Sequence, residues 1–464
     1  MTEEKNTETR IADQDATPEE KNELLLDLVK EKKFRKLREE LSEMNEVDVA
    51  EFMEELNPEK TVVIFRLLPK ELASDVFAFL ESDKQQHIVS SITDREISNI
   101  IEDLSVDDAV DMMEELPANI VKRVLQNATP ETRKLINEFL KYPENSAGSI
   151  MTDEYIGLRK NMTVEEAFSY IRQHGVDKET IYTCYVMDDK RTLEGVVTVK
   201  DLLMAPQGEL IIDIMDEHVI KAATTEDRED VVDLFNRYDL TSLPVVDGED
   251  RLVGIVTVDD AVDVMEQEAT EDFEKMAAIT PSEKPYLKTS VLEMAKHRIT
   301  WLIILMISGM VNGGILGRYE EQIAVMPLLV TFIPMMTDTG GNAGSQSSTM
   351  VIRSMVLGEI KPSDALRVLW KEIRVGILCG GALAGLNFIR LAIQYPGKMM
   401  ICLTVVLSMF FTVIISKSIG CLLPMLATKL KIDPAIMAAP LITTIVDAFS
   451  LILFFNFAVM LLGV

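Results

Sequence analysis

Two aspartates stand where charge is costly. Asp447 lies in PLITTIVDAFSLILFF, far from either end of an otherwise uncharged run. Asp338 lies in IPMMTDTGGNAGSQSSTMVIR, where an apolar stretch turns into glycines, amides and hydroxyls. An ionisable residue inside a membrane helix costs at least ~2.5 kcal/mol, so it faces a cavity, a pore or a partner. For Asp447 two readings stand: a structural partner in Lys417 of the preceding apolar run, or a cation ligand in a pore wall. Around Asp338, the glycines Gly340, Gly341 and Gly344 let the backbone leave helical geometry and free carbonyl oxygens. Asn342, Ser345, Gln346 and Ser347 add neutral oxygens. Hard cations take oxygen ligands and magnesium keeps several waters, so a sparse set of carbonyls with one carboxylate suits it. The same glycines could instead serve close helix packing.

Other chemistries fit less well. The Asp-Thr-Gly triplet at Asp338 matches that of aspartic proteases, but their β-rich setting is missing, and intramembrane proteases place the glycine before the aspartate. The glycine stretch lacks the Lys-Ser/Thr of a phosphate-binding loop. Four cysteines, Cys184, Cys379, Cys402 and Cys421, have no paired spacing, which suggests neither zinc nor a disulfide framework.

The formal charge of -30 is unevenly spread. From Arg298 onward there are 12 Lys or Arg against 8 Asp or Glu, which leaves 34 against 68 before it. Such acidity argues against nucleic acid as a partner. A compact part this acidic repels itself unless cations bind it. Acids also pair on helical faces: Asp107 with Asp111, Asp260 with Asp263, and Glu268 with Glu271 and Asp272. Ordinary surface helices carry such pairs, and for any one pair solvation is the first reading. Collectively, acidic faces on neighbouring domains close together only when cations bridge them.

The elements that carry these residues change along the chain. Residues 1–20 read as a disordered acidic tail, with no apolar core of a cleaved signal peptide. Residues 21–146 read as a helical solenoid. Val49, Phe52, Met53 and Leu56 follow helical spacing, as do Ala109, Met112, Met113 and Leu116, and DVAEFMEELNP recurs as DAVDMMEELP. The period then changes. TLEGVVTVKDLL and RLVGIVTVDDAV repeat a strand, a Thr-x-x-Asp and a helix at an interval of about 60 residues. This repeat resembles a tandem pair of CBS domains, over 147–206 and 207–268. That resemblance implies that Thr198 with Asp201, and Thr257 with Asp260, could contact the ribose of an adenosine nucleotide such as ATP. The alternative is that each pair caps the helix that follows. Residues 269–298 read as an acidic connecting helix and linker.

From 299 to 464 five stretches have membrane length, roughly 300–316, 323–349, 373–393, 399–428 and 434–464. Arg353, Lys361, Arg367, Lys371 and Arg374 crowd one loop, with Lys429 and Lys431 in another and His297 and Arg298 before the first span. Arg318, Arg390 and Lys398 lie on the other side. The bias places the soluble part in the cytoplasm and the C-terminus outside.

A solenoid, a CBS pair, an acidic connecting helix and five spans with GGNAGSQ in the second and a lone Asp in the fifth closely resemble the MgtE family of magnesium channels. The resemblance covers the chain beyond its first 20 residues. It implies a multidomain membrane protein: an all-α solenoid, an α/β CBS pair, a connecting ("plug") helix and five transmembrane helices. It further implies a homodimer in the plasma membrane, not an enzyme, with the pore between subunits. Asp447 would be the selectivity residue, with the Thr443 carbonyl and the backbone of Gly340, Gly341, Asn342 and Gly344 nearby. Asp338 and Gln346 would stand at the pore mouth. Regulatory Mg2+ would bind Asp107, Asp111, Glu229, Asp239, Asp260, Asp263, Glu268, Glu271 and Asp272, with Asp433 meeting the plug helix. The resemblance leaves Lys417 unplaced, with lipid headgroups or Asp338 as contacts equal in standing to Asp447. The rivals are a CBS-regulated transporter of another cation such as Co2+, and a membrane receptor without transport.

Overall fold

The structure is a computed structural model that describes residues 18–463 apart from 177, 283–285, 288 and 438. The tail expected over 1–20 falls almost wholly outside the described residues. The chain divides into two units, Met1–Met265 and Glu266–Val464.

The first unit opens with ten short helices: α1 (Pro18–Lys30), α2 (Phe34–Leu41), α3 (Glu46–Glu54), α4 (Pro58–Phe65), α5 (Lys70–Ala78), α6 (Ser82–Ser91), α7 (Asp94–Asp103), α8 (Val106–Glu115), α9 (Ala118–Asn127) and α10 (Pro130–Phe139). Their starts are written in side chains that satisfy the orphan N–H groups of a first turn. Asn45 Oδ1 accepts from the Val47 N–H, Asn57 Oδ1 from Lys60, and Thr93 forms a capping box with Glu96. Proline at the first helical position, which needs no N–H there, opens α4 and α10. No helix exceeds thirteen residues among these ten, so stability comes from stacking. α3, α5, α7 and α9 form one row, and α4 packs on α6 and α8 on α10 in the other. Their apolar faces make one core with Phe52, Ile64, Phe77, Ile88, Ile97 and Ile136 at its centre.

Lys84 on α6 is buried within that stack. Its ammonium donates to the Leu56 carbonyl, to the Met53 carbonyl at 3.4 Å and to Thr61 Oγ1 at 3.5 Å, around the junction of α3 and α4. A lysine thus replaces water at the Leu56 carbonyl, while the Met53 carbonyl also accepts from the Leu56 N–H at 3.2 Å.

The repeat that follows folds as two three-stranded sheets. The first holds β1 (Ile156–Leu158), β2 (Thr183–Met187) and β3 (Leu193–Thr198), with α11 (Val164–His174) between β1 and β2 and α12 (Val199–Met204) after β3. After α13 (Ile211–Ile214), the second sheet holds β4 (Ala222–Ala223), β5 (Ser242–Val246) and β6 (Leu252–Thr257), with α14 (Arg228–Tyr238) and then α15 (Val258–Met276). In each sheet the first pair is parallel and the second antiparallel, and both hairpins slip register at the corresponding place, Val186/Met187 and Val245/Val246. The halves are joined by a hydrogen bond of 2.7 Å between the Tyr185 and Ser242 hydroxyls, over a small core with Leu252 and Ile255.

The second unit is helical: α16 (Val291–Gly317), α17 (Glu320–Val325), α18 (Ile333–Val356), α19 (Ala365–Gln394), α20 (Met399–Lys429) and α21 (Ala439–Leu462). Among the described residues, four helical stretches are long and apolar enough to cross a membrane: Val291–Gly317, Pro362–Gln394, Met399–Lys429 and Pro434–Leu462. α18 is not among them, because its glycines, hydroxyls and amides dilute its hydropathy. It nevertheless packs against both α20 and α21. The expected second span at 323–349 is corrected in its bounds. A 3-10 turn at Pro327–Phe332 separates α17 from α18, and α18 then runs on to Val356. Likewise the first span begins earlier than 300, since the amphipathic lead-in and the span form one helix from Val291.

One prediction concerns Lys84. Lys84→Met strands the Leu56 carbonyl, which typically costs about 1–3 kcal/mol. Chemical denaturation of the soluble unit reads that loss, and a variant as stable as the parent contradicts the assignment.

Candidate functional site

α18 is pressed between α20 and α21 at its glycines. A Cβ on Gly340 would meet Ser450 Oγ and Thr412 Cγ2 at 2.8 Å and Val446 Cγ1 at 2.9 Å. On Gly344 it would meet Ile442 Cγ2 at 2.9 Å and the Ser416 carbonyl at 3.3 Å, and on Gly341 the Thr443 side chain at 3.1 Å. The helix is continuous through all three, and none has positive φ. The expectation that they break the helix and free carbonyls is therefore corrected. Packing on both sides overrides the low helix propensity of glycine, and absence of a side chain is the property in use. The discontinuity lies earlier, ahead of Pro334.

This leaves one face of α18 unpacked by the rest of the unit. Asp338, Asn342 and Gln346, spaced four apart, are exposed along it, with Ser345 half-buried beside them. Asp447 and Thr443 on α21 are also half-buried, and Asp338 is close enough to Asp447 for their charges to repel. The Thr443 and Thr444 hydroxyls both donate to the Pro440 carbonyl, at 2.9 and 3.0 Å, which commits them to their own helix. Asn312 of α16 donates to the Thr444 carbonyl at 3.4 Å and leaves its own Oδ1 buried without a partner. A lone asparagine in an apolar run was the available signal for it.

Lys417 is buried away from both aspartates. Its Nζ donates to Ser347 Oγ at 3.2 Å and lies 3.7 Å from Glu372 Oε2 on α19. Ser347 Oγ donates to that same Glu372 oxygen at 2.6 Å. The partners entertained from sequence, Asp447, Asp338 and lipid headgroups, are replaced by Glu372. Ser347 is correspondingly a bonded serine on the packed face.

In the first unit the cluster around Asp107 is larger than the sequence suggests. Asp107 and Asp108 of α8 face Asp259 and Asp260 of α15 together with Glu154 and Glu179, and Asp111 follows one turn along α8. Burial raises Asp107, and one of its oxygens is buried with no hydrogen-bond partner. Burial, then the charge of Asp107, pushes Asp108 up to about 6. Burial, then Asp107 and Asp108, pushes Asp111 up to about 7. Burial dominates for Glu154 and Asp260 too, each at about 7, against a nearby Lys178 in one case and the Thr257 hydroxyl in the other. Glu154 and Glu179 escaped notice because they approach α8 in space alone.

The remaining acids sit apart. Asp263 is exposed one turn beyond Asp260. Glu229 is in the first turn of α14, while Asp239 caps its far end in the left-handed conformation, φ 51°. Eleven helical residues put about 16 Å of rise between those ends, so the two cannot share one ion within this chain. In the second unit Asp433 pairs with Lys275 of α15 at 2.7 Å, and Lys275 also pairs with Glu271. Burial and then Asp433 raise Asp272, with Lys275 opposing and Glu268 and Glu271 adding to the rise. At the nucleotide candidates, Thr198 and Asp201 form a capping box, their side chains 2.5 Å apart. Thr257 Oγ1 donates to Asp260 at 2.6 Å.

Comparison with known proteins joins these parts. A family model described as a divalent cation transporter, MgtE, matches residues 333–457, which begin with α18 and include Asp447. The MgtE intracellular N domain matches 44–145, and CBS domains match 147–208 and 211–267. The chain is 36% identical to magnesium transporter MgtE of Thermus thermophilus, over 94% of this chain and 98% of that one. It is 31% identical to magnesium transporter MgtE of Bacillus subtilis, over 93% and 95% respectively. A crystal structure of the cytosolic domain of the Mg2+ channel MgtE in complex with ATP superposes with a TM-score of 0.50 at 38% identity, covering 52% of this chain and 98% of that one. The soluble part is thus an MgtE-type cytosolic domain with a CBS pair, and the chain belongs to the MgtE family of divalent cation transporters, which are not enzymes.

Proposed function

We propose that the chain is a Mg2+-selective channel, active as a homodimer in the plasma membrane, that admits magnesium down its electrochemical gradient. The observation that carries this is the polar face of α18 beside Asp447. A stripe of Asp338, Asn342 and Gln346 next to a second carboxylate, in a helix sandwiched by apolar ones, needs water and cations in front of it. Two such chains about one axis would double the carboxylates. Water-mediated contact with amide oxygens and carboxylates suits an ion that sheds its waters reluctantly. Because the glycine carbonyls stay in the helix, Gly340, Gly341 and Gly344 act by bringing α18 close to Thr443 and Asp447, and the Thr443 carbonyl and Asn342 act as pore oxygens. Counting α18 as a span gives five, which with the basic loops puts the C-terminus outside. A divalent ion entering gains roughly 4.6 kcal/mol per 100 mV of inside-negative potential, so no pump is required.

Gating follows from the acids. Mg2+ bound at Asp107, Asp111 and Asp260, with Asp108, Glu154, Asp259 and Glu179 as neighbours, would offset their repulsion and hold the cytosolic part compact. The orphaned Asp107 oxygen supports a ligand there. Asp263, Glu229, Asp239, Glu268, Glu271 and Asp272 would complete further sites only across another surface. Lys275 already occupies Asp433 in this conformation, so α15 docks there without an ion. Ion binding to the closed form stabilises it by mass action. For ATP, Thr198 and Asp201 are the favoured pair. They lie beside the backbone of exposed Tyr182, whose carbonyl accepts the Val199 N–H at 2.9 Å, whereas Asp260 is crowded by acids that repel phosphate.

Two measurements test this reading. Asp447→Ala should abolish Mg2+ uptake into liposomes while the dimer persists; undiminished flux ends the pore assignment, and competition with Co2+ and Ca2+ decides the cation. The second is pH. The clustered acids have folded-state pKa values of about 6 to 7, above the ordinary 3.8 of Asp and 4.5 of Glu. Between about pH 4 and pH 7 the folded state therefore holds more protons than the unfolded, and metal-free stability falls as pH rises through that window. Denaturation of the soluble unit in chelator should show that fall. Millimolar Mg2+ should restore more stability at pH 7.5 than at pH 5, and equal restoration at both would remove the cluster as an ion site.

A further inference from the structure

We propose that Lys417, Glu372 and Ser347 form a charged clasp that sets the register of α18, and through it the placement of the polar stripe that discriminates among cations. The inference rests on the reading of that stripe as the transport path. α18 and α20 touch along small residues: Gly340 meets Thr412, Gly344 meets Ser416, and a Cβ on Gly420 would overlap the Gly344 carbonyl. Such a seam fixes how near two helices lie, but smooth backbone surfaces offer little resistance to sliding or rotation. Directional bonds supply what the seam lacks. One turn from the Gly344–Gly420 contact, Lys417, 5% exposed, reaches Ser347, 2% exposed, at 3.2 Å. Ser347 donates to Glu372 at 2.6 Å, and Glu372 lies 3.7 Å from Lys417. Three helices thus converge on one hydroxyl.

The position of that hydroxyl excludes a direct role in ion contact. Ser347 is five residues beyond Asn342, which turns it about 140° around the helix from the stripe. It lies on the packed face with Gly340, Gly344, Ser348 and Val351. A lysine beside a cation path would repel the ion. Neutralised by Glu372 and turned away, it holds the helix without repelling what passes. A buried charge pair costs desolvation and is a poor source of stability, whereas fixing register is its best-attested use. Displacement of a positioned group by about 1 Å costs up to ~100-fold in rate where geometry matters, so a loosened α18 should be read in transport. These are positioning residues, and none touches the ion.

The test uses the full-length protein in liposomes, with Mg2+ influx and its inhibition by Co2+ and Ca2+ as readouts. Monodispersity on gel filtration confirms folding of each variant. Lys417→Met and Glu372→Gln each leave one buried charge unpaired and should lower influx about tenfold or more. The exchange Lys417→Glu with Glu372→Lys should recover most of it. Ser347→Ala keeps both charges and volume, so it is expected to fold. It should shift the ratio of Mg2+ to Co2+ affinity, a readout that a merely structural contact would leave alone. Unchanged influx and competition in Ser347→Ala, or an exchange variant no better than the folded single variants, overturns the clasp. Asp447→Ala run alongside separates the two ideas. Retained flux there removes the transport path itself, whereas lost flux there with an indifferent Ser347→Ala removes the clasp alone.

Discussion

Like charges held at short range govern this molecule. Burial and neighbouring carboxylates together raise the proton affinity of Asp107, Asp108, Asp111, Glu154, Glu179 and Asp260, and Asp338 repels Asp447 between two packed helices. An acidic chain can fold with such crowding only if the surroundings tolerate it: protons, cations or a lysine must take up the field. Lys275 does so at Asp433, where an internal cation stands against a carboxylate without any solute. Around Asp107 the opposing charge is that of Lys178 near Glu154, and Glu154 is nonetheless raised to about 7.

The same logic separates the two carboxylate settings by what surrounds them. In the cytosolic part the acids come from α8, from the start of α15 and from the segments just ahead of β1 and β2. In the membrane part they come from two helices brought close by glycines and packed on the apolar cluster of Met336, Ile401, Phe454 and Phe455.

Much of this was legible from residues alone, and the misses share a cause. Helical spacing around Val49 and Met112 located the stacked helices, and the Thr-x-x-Asp repeat located both sheets, because those signals are local. The order of parts led to the family. What escaped was contact at long range: Glu372 meeting Lys417, Lys275 meeting Asp433, and Glu154 and Glu179 meeting Asp107. No spacing rule reports a partner two helices away. The glycines misled in a different manner, since their propensity favours a break while neighbours on both sides of α18 enforce a helix.

The seam between α18 and α20 reverses the usual sense of a common experiment. Alanine scanning is designed to subtract atoms, and its losses are read as the worth of what was removed. At Gly340, Gly344 and Gly420 alanine adds a methyl group where Thr412, Ile442 or the Gly344 carbonyl already stands. A scan of this region would therefore map steric headroom, and its most damaging positions would mark where two backbones meet, whichever side chains the ion itself encounters.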